Sequence, residues 1–347
     1  MNTPLTFGII GAGAIAQTWA QAFEAFEDAT VIGVADVRAD AARGLADRLG
    51  CPAYESHEAL MSAAPCDAVV ICTPPATHPE LAMFFLERKV HVLCEKPLAI
   101  DSASARLMLE TARATGSHLT MASKFRYVDD VVRAKSLVLS GILGEIILFE
   151  NAFTARVEMG SRWNANPALS GGGVLIDNGA HSIDLMRYFL GPLAEVQVVE
   201  GKRSQGLSVE ETVRIFARSV TGVMGSVDLS WSINKELDSY INIYGSHGTV
   251  SVGWKESKYR QTSSREWVVF GKGYDKIQAF RSQLKNFSRV VRGEDVPLIT
   301  AEDALASVAV IEAGYASMRG THWIPVKSHT AALRSVPGGG DGLCRAA

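Results

Sequence analysis

Three side chains between Gly171 and Gly191 have the spacing that proton chemistry needs. Asp177, His181 and Asp184 stand at i, i+4 and i+7, so a helix would carry them on one face. Leu175, Ile176, Ile183, Leu185, Met186, Phe189 and Leu190 supply its apolar positions, and Gly191-Pro192 stops it. The entry, Gly171-Gly172-Gly173, lets backbone approach another surface closely. Histidine titrates near neutrality, and a carboxylate one turn earlier favours the protonated ring and can orient it. The helix can therefore present an oriented acid/base. A purely structural reading is equally open: an acid satisfying free N–H groups at a helix start, and a surface histidine.

Two further stretches carry chemistry. Glu95-Lys96-Pro97 follows an apolar strand, at the strand end where open α/β sheets place ligands. A lysine there can stabilise a developing alkoxide, or it can simply pair with Glu95. Gly11-x-Gly13-x-x-Ala16 follows a strand and opens a helix, the context a dinucleotide fingerprint needs. Gly11 permits a tight turn, Gly13 admits a pyrophosphate, and the helix N-terminus offers free N–H groups. Asp36 closes the second strand, where an acid accepts hydrogen bonds from a ribose 2′-hydroxyl and repels a 2′-phosphate. NAD is expected as cofactor, with Arg38 leaving NADP possible. Gly11, Gly13, Ala14, Ile15, Asp36, Val37 and Arg38 are the candidate contacts of this half.

The elements that must position these residues fall into two series. Apolar strands at 5–11, 30–35, 69–72, 90–94 and 118–121 alternate with helical runs at 14–26, 39–49, 78–88 and 102–115. Such alternation implies parallel strands joined by right-handed crossovers, with helices covering both faces. After residue 124 the pattern changes to longer strand-like runs with period-two alternation, as at 223–231, and hairpin-like turns at 220–222 and 245–248. The fold class expected is α/β: a Rossmann domain over 1–123, then an α+β domain with an open, largely antiparallel sheet over 124–330. The tail 331–347 has few apolar residues and is expected to be disordered.

Composition narrows the function. The net charge of −3 gives no global field for nucleic acid or anionic membrane, and no apolar run is long enough for a bilayer span. The N-terminus lacks a basic n-region, so no signal peptide is expected. Cys51, Cys66, Cys72, Cys94 and Cys344 form no Cys-x-x-Cys pair, and a reducing cytoplasm fits them best. No zinc-type ligand cluster is seen, and no metal is expected.

Taken together, the Gly-x-Gly-x-x-Ala entry, Thr73-Pro74-Pro75 with His78, Glu95-Lys96-Pro97, and the 171–184 stretch resemble the Gfo/Idh/MocA oxidoreductases, which include glucose–fructose oxidoreductase and inositol 2-dehydrogenase. The likeness runs over residues 5–325 in order and spacing. It implies a C-terminal sheet through which subunits form homodimers or homotetramers. It also implies that Lys96 orients the reacting hydroxyl, that His181 takes its proton, and that Asp177 contacts substrate and His181 together. Thr73, Pro74, His78, Glu95 and Lys96 would lie by the nicotinamide. Arg126 and Tyr127, in Lys124-Phe125-Arg126-Tyr127, would line the sugar pocket, and Arg156, Trp163 and Asn164 would border it. Some members carry tyrosine in place of the histidine and reduce ketosugars; His181 keeps the dehydrogenase pattern. The expected activity is NAD-dependent oxidation of a secondary hydroxyl on a cyclic polyol or sugar. The rivals are an NAD(P)H-dependent ketosugar reductase acting on a nucleotide-linked or amino sugar, a dinucleotide-sensing binding protein, and a hydrolase using NAD as a redox relay.

Overall fold

The structure is a computed structural model that describes residues 3–320 and 322–327. The tail expected to be disordered, and Cys344, lie outside the described residues.

The first unit is a six-stranded sheet. Its strands are β1 (Leu5–Ile10), β2 (Ala29–Ala35), β3 (Ala53–Tyr54), β4 (Ala68–Ile71), β5 (His91–Glu95) and β6 (Leu119–Ala122). All pairings are parallel, in the order β3-β2-β1-β4-β5-β6. Crossover helices α1 (Ala14–Glu24), α2 (Ala39–Leu49), α3 (His57–Ala63), α4 (His78–Glu87) and α5 (Ser102–Thr115) join them. Strands buried on both faces need near-continuous apolar sequence, and Ala68–Ile71 is fully buried. The register puts Ile10 beside Ala35 and Ile71, Ile71 beside Cys94, and Glu95 beside Ala122. The strands therefore end together, and Gly11, Asp36, Thr73, Lys96 and Lys124 all emerge along one rim. The chain reverses direction between β1 and β4, the switch point where such sheets open a crevice.

The second unit begins with α6 (Asp129–Leu139) and β7 (Ile146–Thr154). A one-turn helix α7 (Pro167–Ser170) leads into α8 (Val174–Leu190). There follow β8 (Leu193–Glu200), β9 (Thr212–Ser219), β10 (Met224–Ser230), β11 (Ser239–Gly245), β12 (Gly248–Gly253), β13 (Ser257–Gln261) and β14 (Val268–Gly271). The chain closes with α9 (Lys276–Val291), α10 (Ala301–Gly320) and β15 (Ile324–Pro325). The sheet has nine strands in the order β14-β13-β12-β11-β7-β10-β9-β8-β15, antiparallel except where β10 runs parallel to β7. Helices α8 and α10 cover one face. The alternation read at 223–231 is present: Val227 and Leu229 are buried against α8, while Ser226 and Asp228 lie on the other face.

Residues placed with the second domain by sequence also serve the first. Phe280 and Phe287 of α9 pack on Trp19 and Phe7, with ring centroids 4.6 and 6.2 Å apart. Ala304, Leu305 and Val308 of α10 join the core around β4 and β5. The two units thus share core packing, which fixes α8 relative to the strand ends of the first sheet.

Candidate active site

The glycine turn is built by close contact. Gly11 has φ +92°, and a Cβ there would stand 2.9 Å from the Cys72 carbonyl carbon and from Thr73 Cγ2. Gly13 caps α1 with no side-chain hydrogen bond, α1 has no acid in its first turn, and a Cβ on Gly13 would meet open space. Free N–H groups therefore face an unfilled cleft, the arrangement that accepts a phosphate. That cleft is a cavity of about 890 Å³. Gly11, Gly13, Ala14, Asp36, Val37, Arg38, Thr73 and Pro74 line it, as do Trp163 and Asn164 from the second unit.

Asp36 is held firmly. Its Oδ2 accepts from Ala12 N at 2.7 Å and its Oδ1 from Arg38 N at 2.8 Å. Burial pushes its pKa up, but these amides and the Arg38 guanidinium outweigh that, and the carboxyl sits below its ordinary value. The exposed Arg38 side chain is drawn onto Asp36, with Nε 3.3 Å from Oδ1. The residues present fit a dinucleotide: an acid at the ribose position and bare amides at the phosphate position.

A second cavity of about 510 Å³ shares Gly13, Ala14, Cys72, Thr73, Trp163 and Asn164 with the first, and also takes in Ile15. The three residues expected to carry chemistry meet here: Lys96, Asp177 and His181 all line it. Lys96 follows β5, before a cis peptide to Pro97. Its Nζ donates to Asp177 Oδ1 at 2.6 Å and to the Asp177 carbonyl at 3.0 Å. Glu95 beside it is buried and accepts from Trp19 Nε1 at 2.9 Å. Burial raises the Glu95 pKa, opposed by Trp19 and the charges of Lys96 and Lys124.

The geometry corrects two readings of α8. Asp177 does not cap the helix. Glu210 does, with Oε1 accepting from Gly173 N at 2.9 Å, Leu175 N at 3.1 Å and the Tyr315 hydroxyl at 2.8 Å. Gly173 has no room for a side chain because Glu210 backbone occupies that space. Nor does Asp177 bond to His181, because its carboxylate is turned to Lys96. The His181 ring instead stands edge-on to Phe125, centroids 5.0 Å apart, and Nδ1 is buried with no hydrogen-bond partner among the described residues. Burial, then the charges of Lys96 and Lys124, lower its pKa well below the ordinary value. Burial and the two ammonium groups thus favour the neutral imidazole, the form that can act as a base.

Other expected residues lie elsewhere. Asp184 is fully buried and bonded to Arg126: Nε donates to Oδ2 at 2.9 Å, and Nη2 lies 2.7 Å from Oδ1. Arg126 thus belongs to an internal ion pair completed by Ser123 Oγ and Asp303, not to the pocket wall. Tyr127 is buried too, its hydroxyl donating to Asn286 Oδ1 at 3.0 Å. His78 is fully buried behind the cleft, its ring nitrogens each 2.9 Å from a carbonyl oxygen, of Thr73 and of Pro97. It ties the loop after β4 to the loop after β5 and lines neither cavity. Arg156 is exposed and paired with Glu158 at 3.5 Å.

Comparison with known proteins agrees with this architecture. Residues 5–123 match the oxidoreductase family with an NAD-binding Rossmann fold, and residues 131–251 match the Gfo/Idh/MocA C-terminal domain. The chain belongs to the Gfo/Idh/MocA oxidoreductase family. It is an NAD-binding oxidoreductase of the group that acts on sugars and polyols. Myo-inositol 2-dehydrogenase of Thermotoga maritima is 26% identical over 336 residues, covering 91% of this chain and 96% of the relative. D-glucoside 3-dehydrogenase of Escherichia coli is 34% identical over 194 residues, 55% of each chain. The solved structure of levoglucosan dehydrogenase in complex with NADH and levoglucosan has the same fold, with a TM-score of 0.86 at 20% identity over 94% of this chain and all of that one. Among the described residues, no helix of this family member is long and apolar enough to cross a membrane.

The pocket also contains residues that sequence reasoning did not assign to it. Phe153 ends β7, Trp254 follows β12, Asn178 follows Asp177, and Lys276 opens α9. Phe125, from the short turn after β6, completes an aromatic wall with Phe153 and Trp254: Phe125 and Phe153 stack at 4.6 Å, and Trp254 stands 6.1 Å from Phe153. Lys124, in the run whose Arg126 and Tyr127 are expected at the pocket, is the polar side chain of that run that reaches it. Its place in the run before Arg126 was the available signal. For Trp254 and Lys276 there was none, since each arrives from a separate element.

Proposed function

We propose that this protein is an NAD-dependent dehydrogenase that oxidises a secondary hydroxyl of a cyclic polyol or sugar to a ketone. The observation that carries this reading is the meeting of Lys96 and His181 in one cavity that opens onto the cleft of Gly11 and Asp36. Bound NAD supplies the hydride acceptor. The chain's part is to hold the hydroxyl between Lys96 Nζ and His181. Nδ1 being buried, Nε2 is the ring nitrogen we assign to take the hydroxyl proton. The Lys96 ammonium lies where it can stabilise the alkoxide as that proton leaves. A neutral histidine favours oxidation, because it enters the reaction able to accept. The aromatic wall of Phe125, Phe153 and Trp254 offers the apolar face that a sugar ring's C–H groups stack on.

We also infer a homo-oligomer, dimer or tetramer, formed through the helix-free face of the nine-stranded sheet. Met224 and Val199 are exposed there beside the ion pairs Arg214–Asp228 and Arg218–Glu195. The free thiols of Cys51, Cys66, Cys72 and Cys94 support a reducing, cytoplasmic setting. The test of function is a panel of inositols, aldoses, aminosugars, uronates and sugar phosphates with NAD⁺ and NADP⁺, followed at the nicotinamide absorbance. Reduction of NAD⁺ by a cyclic polyol or sugar is expected, and its absence across the panel overturns the reading. Light scattering during gel filtration checks the oligomer, which a monomeric mass rules out.

A further inference from the structure

The substrate cavity holds more positive charge than the proposed chemistry uses. Lys96, Lys124 and Lys276 line it, against Glu95 and Asp177. Lys96 is matched by Asp177. Glu95 is buried and engaged by Trp19 and by the backbone of Lys96. Neither Lys124 nor Lys276 makes a hydrogen bond or ion pair among the described residues. Both ammonium groups instead lie over aromatic rings: Lys124 Nζ is 5.2 Å from the Phe125 centroid and 5.9 Å from that of Phe280, and Lys276 Nζ is 6.0 Å from the Phe280 centroid. The two ammonium groups repel each other in a partly enclosed cavity and neither is ion-paired; Glu95 and Asp177 attract Lys124 from beyond ion-pair distance, which leaves room for an anion that arrives from outside.

That anion is not readily the dinucleotide phosphate. The phosphate position is the N-terminus of α1, after β1. Lys124 follows β6, and in the order β1-β4-β5-β6 the two strands are three steps apart, roughly 14 Å at the usual spacing. Lys124 Nζ lies 5.2 Å from the Phe125 centroid, which is 5.0 Å from that of His181, so it stands beside the proposed base.

We propose that the substrate is an anionic sugar, whose carboxylate or phosphate is held by Lys124 and Lys276 while its ring presents the reacting hydroxyl to Lys96 and His181. This rests on the dehydrogenase reading and narrows its substrate class. Lysine suits the task as a point charge that accepts either anion. The charge state of Lys124 agrees with a site awaiting a counter-ion. Burial, then Lys96 and Lys276, lower its pKa to about 8, with Glu95 and Asp177 pulling the other way.

Three probes that differ only at C6 test the idea: D-glucose, D-glucuronate and D-glucose 6-phosphate. Each is titrated calorimetrically into the full-length protein saturated with NADH, and each is assayed with NAD⁺. At least one anion is expected to bind tenfold or more tightly than glucose, and the better of the two identifies carboxylate or phosphate. In Lys124→Met and Lys276→Met the ratio of anion to glucose affinity should fall roughly 10- to 100-fold, the worth of a charge-assisted hydrogen bond. Lys276→Arg should keep most of it, and NADH affinity should be unchanged in all three variants. The proposal is overturned if glucose binds as well as both anions, if the methionine variants leave the ratio unchanged, or if they weaken NADH instead. Turnover separates the two readings. Oxidation of glucose but neither anion ends the anionic-substrate proposal and leaves the dehydrogenase reading standing. Lysine-dependent anion binding with no sugar oxidised ends the dehydrogenase reading and leaves the anion site standing.

Discussion

The two connected cavities recognise their ligands by different means. The dinucleotide cleft is largely a backbone site. Its phosphate position is an uncapped helix start beside a glycine with no room for a side chain, and the acid at its ribose position, Asp36, is pinned by main-chain amides. The substrate cavity is a side-chain site. Lysines, a glutamate, an aspartate, a histidine and four aromatics converge on it from the end of β5, the turn after β6, β7, the segment before α7, α8, the end of β12 and α9. A backbone site is fixed by one strand–turn–helix unit and tolerates few changes of sequence. A side-chain site can change its ligand by exchanging single residues while the fold stays the same, as substrate diversity on one scaffold requires.

The sharpest way to separate the two is to remove the base. His181→Ala should lower kcat about 10²–10⁴-fold, the usual worth of general acid–base catalysis, with NADH affinity nearly unchanged. Near-normal turnover in stopped assays would remove His181 from the chemistry. Because burial and two lysines favour the neutral imidazole, the acid limb of kcat/KM should fall below the ordinary histidine value of about 6.5. A limb at or above that value would mean that a carboxylate reaches the ring after all.

The Lys96–Asp177 contact makes a second division. The two are joined at 2.6 Å across the two units, so they should behave as one device. Lys96→Met and Asp177→Asn should each lower kcat/KM strongly, and the double variant should be little worse than the poorer single. Strictly additive losses would show that the pair acts independently.

The contrast also explains what could be read from sequence. The cofactor half was legible because Gly11, Gly13, Ala16 and Asp36 follow local rules within two consecutive β–α units. Lys96 and His181 were legible as types at element ends. The partners of these residues were not. Spacing on a helix suggests that Asp177 orients His181, yet Asp177 turns to Lys96, and Asp184, on the same face, turns to Arg126; both partners come from the first half of the chain. The cap of α8 comes from Glu210, a long way downstream. Periodicity states which side chains share a face, but not what the opposing surface offers them.

Arg126 lies where the two units meet, and its loss should register as stability. Removing one member of a buried pair leaves the other charge uncompensated, typically at a cost of about 3–5 kcal/mol. Arg126→Ala should therefore shift urea unfolding by an amount in that range. A variant that unfolds normally but raises the KM for sugar would return Arg126 to the pocket. Asp36→Ala should act only on the backbone site. The unmutated protein should prefer NAD, and the variant should lose that preference by roughly tenfold or more, as expected when a charged hydrogen bond is lost. A wild-type preference for NADP would make Arg38 the determinant instead.

The smallest effect is expected on the segment that borders both cavities. Trp163 and Asn164 touch each of them, whereas Arg156, a few residues earlier, points to solvent. Its side chain is 77% exposed and its partner Glu158 is 79% exposed, 3.5 Å away. Exposed pairs of this kind contribute about 0–1 kcal/mol, and surface truncations generally stay within about 0.5 kcal/mol. Arg156→Ala should therefore leave kcat/KM within about twofold of wild type, while Trp163→Ala weakens both NADH and sugar. The informative failure would be a tenfold rise in sugar KM in Arg156→Ala with NADH binding intact. Such a result requires Arg156 to reach the substrate, and therefore requires residues 155–166 to fold inward when both ligands are bound. It would move the border between the two sites from the strand ends to that segment.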